Sequence, residues 1–307
     1  MREPLVSVII PVHNKGFFLK DTLDSVLGQT FQNFEIVIVD SELSNNAKQI
    51  VDTFEDKRIK YFYKEKAGIN AARNLGIKNS RGKYIAMLEA DDVWSPEKLQ
   101  KQVDILNQNP QVGLVYCATE FINENKETTG RNRSVCCRGF VFNRIIMNNF
   151  LHNGSVALFR RDCLDKTGWF DETVNKMTDW DFYIRLSINY KFWGLGEYLV
   201  KSRVYSDFED NDFEFFETCG FKILNRIFQR DDIEIRHLKH INSAYAMRYR
   251  YIGKKYYENN CLERSKGYFQ EAIKRDFWTC FRSDVLPYYL LSCLPVKKRE
   301  MLKKNSK

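Results

Sequence analysis

The strongest constraint on this chain is a set of three nearly unbroken apolar runs near its start, each ending at polar side chains. Val6-Ser7-Val8-Ile9-Ile10-Pro11-Val12 stops at His13-Asn14, and Phe34-Glu35-Ile36-Val37-Ile38-Val39 stops at Asp40. Tyr84-Ile85-Ala86-Met87-Leu88 runs into Glu89-Ala90-Asp91-Asp92. So little alternation predicts strands covered on both faces. Helical spacing follows each run: Leu19, Leu23, Val26 and Leu27; then Ala47, Ile50, Val51 and Phe54; then Leu99, Val103 and Leu106. Ser95-Pro96 predicts an N-cap followed by Pro at the first helical position. Strand and helix in alternation give an α/β fold with a mostly parallel sheet flanked by helices. Ligands of such sheets bind outside the carboxyl ends of the strands, so Asp40, Asp91 and Asp92 are expected to face one crevice.

Three acids within four positions repel one another, and a cation between them relieves the repulsion. Hard divalent ions take carboxylate oxygens and share their shell with phosphates, which makes Mn²⁺ or Mg²⁺ the expected cofactor. The bland alternative is a solvated turn before the next helix. Its weakness is that a second strand ends in the same way, at Asp40.

The longer motifs carry a resemblance. Val6 to Asn14, Phe34 to Asp40, Ala67-Gly68-Ile69-Asn70-Ala71-Ala72-Arg73-Asn74-Leu75-Gly76-Ile77 and Gly82 through Trp94 resemble family 2 glycosyltransferases of the GT-A fold. Leu158 to Arg161, Gly168-Trp169-Phe170-Asp171-Glu172 and Asp179-Trp180-Asp181 continue it, in family order, over roughly the first 200 residues. The resemblance implies an inverting transfer of a sugar from a nucleotide-sugar, most simply a UDP-sugar, to a glycan or lipid-linked acceptor in cell-surface polysaccharide synthesis. It assigns Asp40 to the nucleotide base, Asp91 to the ribose and Asp92 to the metal. Pro11, Asn14 and Arg73 join the donor-binding set, with Lys64 and Lys66 as nearby counter-charges. Asp179 matches the base that deprotonates the acceptor hydroxyl. Asp181, two residues on, must point elsewhere if the segment is helical, and is expected to hold a basic neighbour.

Some positions depart from the family pattern. Ser41 stands where relatives often carry a second Asp, Glu89 where they carry Asp, and Thr178 where an acid precedes the base. These leave open a protein that binds nucleotide-sugar with impaired turnover, and a scaffold whose helical tail matters more than its crevice. A nucleotidyltransferase could also use an acidic crevice. Asn153-Gly154-Ser155 falls where relatives shape the acceptor pocket, and Trp169 or Trp180 could stack on a sugar ring. The polar segment 119–139 reads as a loop or hairpin over the crevice.

No run of 18 apolar residues occurs, and the first strand begins too early to leave space for a signal peptide. The 8 cysteines show no Cys-x-x-Cys spacing, which fits reduced thiols in the cytoplasm better than a disulfide framework or structural zinc. No Gly-x-Gly-x-x-Gly follows a strand, and no Walker-type loop is present. Charge divides the chain. Residues through 217 hold 28 Lys+Arg against 31 Asp+Glu, whereas those from 218 onward hold 20 against 9. A catalytic domain over 1–217 and a basic helical region over 218–307 are therefore expected, separated by the acidic run from Asp207 to Glu217. Within the basic region, 244–277 resembles one tetratricopeptide-like helix pair. The apolar segment 285–295 ahead of Lys297-Lys298-Arg299 suits peripheral contact with the inner membrane face, and no nucleic-acid motif competes for the charge.

Overall fold

The computed structural model describes residues 3–13, 16–42, 46–132, 136–205, 213–281 and 285–293. Asn14, expected at the donor, lies outside the described residues, as do 207–212 of the acidic run and the end of the apolar segment at 294–295. The chain forms two compact units, Met1–Val141 with Asn149–Phe208, and Phe142–Asn148 with Glu209–Lys307.

The first unit is built on a ten-stranded sheet. Its strands are β1 (Val6–Val12), β2 (Phe34–Asp40), β3 (Ile59–Tyr63), β4 (Tyr84–Met87), β5 (Val93–Trp94), β6 (Val112–Ile122), β7 (Thr128–Asn132), β8 (Arg138–Gly139), β9 (Leu158–Arg160) and β10 (Lys191–Arg203). The order along the sheet is β3-β2-β1-β4-β9-β6-β10-β5, with β7 on β6 and β8 on β10. Strands β1 to β4 are parallel, as the alternation predicts. Beyond β4 the sheet is mixed, because β9 runs antiparallel to both β4 and β6. Every residue of β1, β2 and β4 is buried, which accounts for their unbroken apolar reading.

The helices, numbered in chain order, are α1 (Leu19–Leu27), α2 (Ala47–Val51), α3 (Ile69–Lys78), α4 (Lys98–Gln108), α5 (Phe142–Ile145, in the second unit), α6 (Leu164–Thr167) and α7 (Thr178–Asn189). Their apolar stripes lie inward, with Leu19, Leu23 and Val26 of α1 and Leu99, Val103 and Leu106 of α4 all buried. One boundary differs from expectation: α4 starts at Lys98, and its N-cap is Glu97. The Ser95 N–H donates instead to the Leu199 carbonyl (3.0 Å), so the β5–β10 pairing keeps the chain extended past Trp94 and postpones the helix. Residues 119–139 include the end of β6 and a hairpin return into β7.

The second unit is helical, with α5, α8 (Phe213–Phe228), α9 (Ile235–Leu238), α10 (Ile241–Glu258), α11 (Leu262–Arg275), α12 (Phe277–Phe281) and α13 (Val285–Ser292). The pair expected over 244–277 is α10 and α11. They close tightly because Gly253 faces Phe269, where a Cβ would stand 3.0 Å from the ring. Ala246, Phe269, Ala272, Cys280 and Val285 form this unit's core.

Candidate active site

Parallel pairing puts the expected acids on one edge of the sheet. Asp40 ends β2 in register with Val12, and β4 leaves the sheet at Met87, opposite Ile9 of the same central strand. The strands leading to Asp40 and to Asp91-Asp92 therefore flank β1, about 10 Å apart at two strand spacings. Asp40 is buried; its Oδ2 accepts from the Tyr61 hydroxyl (2.7 Å) and its Oδ1 from the Glu42 N–H (3.0 Å). Pro11 is buried beside Val39. Ser41, a departure from the family pattern, is also buried, lies 3.0 Å from His13 Nδ1 and donates to the Val12 carbonyl (3.1 Å).

Asp91 and Asp92 are both buried. The Tyr205 hydroxyl donates to Asp91 Oδ2 (2.8 Å), and Arg203 Nε donates to the Asp91 carbonyl (3.2 Å). Asp92 Oδ2 accepts from Ser155 Oγ (2.6 Å) and Asn153 Nδ2 (2.7 Å), and its Oδ1 from the Arg203 N–H (3.2 Å). Asn153 and Ser155, expected to shape the acceptor pocket, thus turn their side chains onto this carboxylate. Burial, then the neighbouring Asp91 charge, push the Asp92 carboxyl up to about 7, against the pull of Ser155 and Asn153.

A buried, mutually repelling acid pair is what a divalent ion relieves, and Asp91-Asp92 fit one in that respect. No group of three or more His, Cys, Asp or Glu able to hold a metal occurs among the described residues. Mg²⁺-type sites commonly use one or two carboxylates and take the rest of their shell from water and substrate phosphates, so a short protein ligand set is compatible with that chemistry.

Arg73 occupies the centre of the arrangement. It is buried on α3; Nη2 donates to Glu89 Oε1 (2.7 Å), and Nη1 donates to Thr178 Oγ1 (2.6 Å). Gly154 leaves room for the pair, since a Cβ there would lie 3.2 Å from Glu89 Oε1 and 3.4 Å from Arg73 Nη2. The Glu89 N–H donates to Ser155 Oγ (2.9 Å), and that hydroxyl donates to Asp92. Polar contacts therefore run from Asp92 through Ser155 to the Glu89 backbone N–H, and from the Glu89 carboxylate through Arg73 to Thr178, the residue before Asp179. Two of the departures, Glu89 and Thr178, meet on this one guanidinium.

Asp179 is half-buried in the first turn of α7. Its Oδ1 accepts from the Trp180 N–H (2.9 Å) and its Oδ2 from Asn149 Nδ2 (3.4 Å). Burial raises its pKa above the ordinary aspartate value, while the Arg73 charge pulls it down. Asp181 is directed elsewhere: Arg185 Nε and Nη2 both donate to its Oδ2 (3.0 and 2.7 Å). Of the two tryptophans, Trp180 is 3% exposed and belongs to the core, which removes it as a sugar platform. Trp169 is 45% exposed and borders a cavity of about 560 Å³ with Lys64, Asn74, Lys78 and Glu172. Lys64 ties that cavity to the base-side strand end, its N–H donating to the Asp40 carbonyl (2.9 Å).

If Asp179 acts as a base, it must be ionised, so activity falls as pH drops through its raised pKa. The acid limb of kcat/KM is expected above the ordinary Asp value of about 3.9. Arg73→Gln removes the charge that opposes burial, and the limb should move to still higher pH. A limb that stays fixed in a pH–rate profile of this variant would exclude the coupling.

Several contributors left no local trace in the sequence. Tyr205 and Arg203 reach Asp91 from 114 and 112 residues away, and Asn149 reaches Asp179 from a separate segment.

A parallel α/β half-sheet with acids along its carboxyl edge, continued by a mixed half, defines a nucleotide-sugar transferase of the GT-A type. The chain belongs to glycosyltransferase family 2, whose model (Glycosyl transferase family 2) matches residues 7–168. It is 31% identical over 253 residues to an uncharacterized glycosyltransferase of Rickettsia prowazekii, covering 78% of this chain and 77% of that protein. It is 33% identical over 149 residues to the UDP-Glc:α-D-GlcNAc-diphosphoundecaprenol β-1,3-glucosyltransferase WfgD of Escherichia coli, covering 48% and 57%. Among solved structures, S. aureus TarS 1-349 in complex with UDP-GlcNAc superposes with a TM-score of 0.67 at 15% identity, covering 98% of this chain and 92% of that one. A mannosyltransferase from Pyrobaculum calidifontis in complex with GDP-Man and Mn²⁺ gives 0.64 at 16%, covering 95% and 85%.

Proposed function

We propose that the crevice binds a UDP-sugar and transfers its sugar, with inversion, to a glycan or lipid-linked acceptor of a cell-surface polysaccharide. In this reading Asp40 accepts a hydrogen bond from the nucleotide base and Asp91 one from the ribose. Pro11 and Asn14 belong to the donor wall. Asp92, with Asp91 beside it, would hold Mn²⁺ or Mg²⁺; such an ion supplies Lewis-acid stabilisation to the departing diphosphate. Asp179 takes the acceptor's proton as its oxygen attacks the anomeric carbon from the face opposite the diphosphate. Arg73 fixes the entry of α7 through Thr178 and keeps the Asp179 carboxyl from rising further.

The observation that carries the reading is the series of polar contacts from Asp92 to Thr178, the residue before Asp179. It joins the turn after β4, the turn Gly154–Val156, α3 and the first residue of α7, which brings the donor-side acids into one series with the entry of the helix that carries Asp179. The same contacts speak against an impaired relative, because Glu89 and Thr178 have defined partners where the pattern departs. The UDP-Glc specificity and lipid-linked acceptor of the Escherichia coli relative, and the UDP-GlcNAc complex of TarS, favour a UDP-sugar. The Mn²⁺ complex of the mannosyltransferase favours a divalent cofactor. No helix among the described residues is long and apolar enough to cross a membrane, and the reading places the enzyme at the cytoplasmic side, where nucleotide-sugars are made.

A thermal-shift panel of nucleotide-sugars with and without Mn²⁺ tests the proposal. A UDP-sugar at a hundred times its Kd should stabilise the protein by about 2.7 kcal/mol, and chelation should diminish the effect. If no nucleotide-sugar moved the transition, the donor assignment would fail; formation of UDP-sugar and diphosphate from UTP and a sugar 1-phosphate would make the protein a nucleotidyltransferase.

A further inference from the structure

We propose that the aromatic tip of α12 is a docking surface for an anionic lipid bilayer. Phe277, Trp278 and Phe281 are 48%, 67% and 59% exposed, although Cys280 of the same helix is buried in the core of its unit. Their ring centroids lie 5.5, 6.1 and 6.3 Å apart, so the three form one contiguous apolar patch. Contiguous aromatic patches on a soluble surface mark contact sites, and Trp beside Phe is the composition of a membrane–water interface.

Charge selects the occupant. Lys274 and Arg275 are exposed in the last turn of α11, with Lys274 paired to Glu271 (2.6 Å). The stretch from residue 218 onward carries 20 Lys+Arg against 9 Asp+Glu. A second copy of this chain would bring a region of the same net positive charge. Anionic headgroups bring the opposite charge, and the aromatic side chains can enter the interface below them. The contact centres on α12; in the neighbouring segment 285–295, Val285 is buried in the core and Leu290 is exposed. This inference stands apart from the transferase reading, although a lipid-linked acceptor would profit from it.

Co-sedimentation of the full chain with vesicles provides the test. The protein should pellet with mixed phosphatidylcholine–phosphatidylglycerol vesicles and not with phosphatidylcholine alone, and high salt should release it. The double variant Trp278→Ser, Phe281→Ser should lower partitioning by about tenfold or more while leaving donor hydrolysis in solution unchanged. Trp278→Phe should keep binding and lose the blue shift of tryptophan emission that vesicles induce. Equal binding of wild type and the double variant overturns the proposal, as does absence of binding by either. Conversion of a wild-type dimer to a monomer by the double variant would assign the patch to a second copy and overturn it too. Loss of donor hydrolysis in every protein, with vesicle binding intact, would count against the transferase reading alone.

Discussion

Replacing Asp179 by Asn is expected to lower kcat by about 10³-fold while donor binding stays nearly unchanged, the magnitude general-base removal typically produces. Asn matches Asp in size and keeps a carbonyl oxygen that can accept from Trp180 or Asn149, so α7 should keep its entry. What disappears is the ability to take a proton from the acceptor. The readout is therefore a split: a wild-type thermal shift with UDP-sugar beside a collapsed turnover. Asp181→Asn provides the contrast. Asp181 is buried against Arg185, so its loss should lower stability and leave the acid limb of the pH profile in place. Full turnover by Asp179→Asn would end the assignment of the base.

The second large effect is expected at Asp92. Asp92→Asn, or chelation of the wild type, should reduce kcat/KM by about 10²-fold or more through loss of metal-linked donor stabilisation. The metal-free protein should behave in the opposite direction. The folded Asp92 carboxyl is raised to about 7 by burial and by Asp91, so the stability it contributes is complete below its unfolded value of about 3.9 and is lost as pH rises through 7. At pH 8 the neutral Asn side chain removes that repulsion, and the metal-free melting temperature should not fall. A protein that melts earlier without metal and responds to Mn²⁺ as wild type does would contradict both expectations. Ser155→Ala separates the roles, because it removes a donor to the carboxylate but leaves its charge.

Much of the parallel half of the fold was legible because burial on both faces leaves an unmistakable apolar run, as in Val6–Val12. The start of α4 was not, since Ser95 and Pro96 carry a strong local capping signal that the pairing of β5 with β10 overrides. The acids could be recognised by their place at strand ends. Their partners could not, because contacts such as Tyr205 to Asp91 depend on where β10 ends in three dimensions. Arg73 lies within the motif Ala67 to Ile77, yet its position between Glu89 and Thr178 shows only when α3, the turn after β4 and α7 converge. Trp169 and Trp180 illustrate the same limit: similar residues in similar surroundings of sequence, one open and one enclosed.

The guanidinium of Arg73 also restricts how this enzyme could be re-engineered. In the proposed reading, replacing Glu89 would shift the proton affinity of Asp179 at the same time, since one cation answers to both. Arg73, Glu89, Gly154, Ser155 and Thr178 would therefore have to be exchanged as a block, and piecemeal exchange should yield variants whose Asp179 titrates at a different pH.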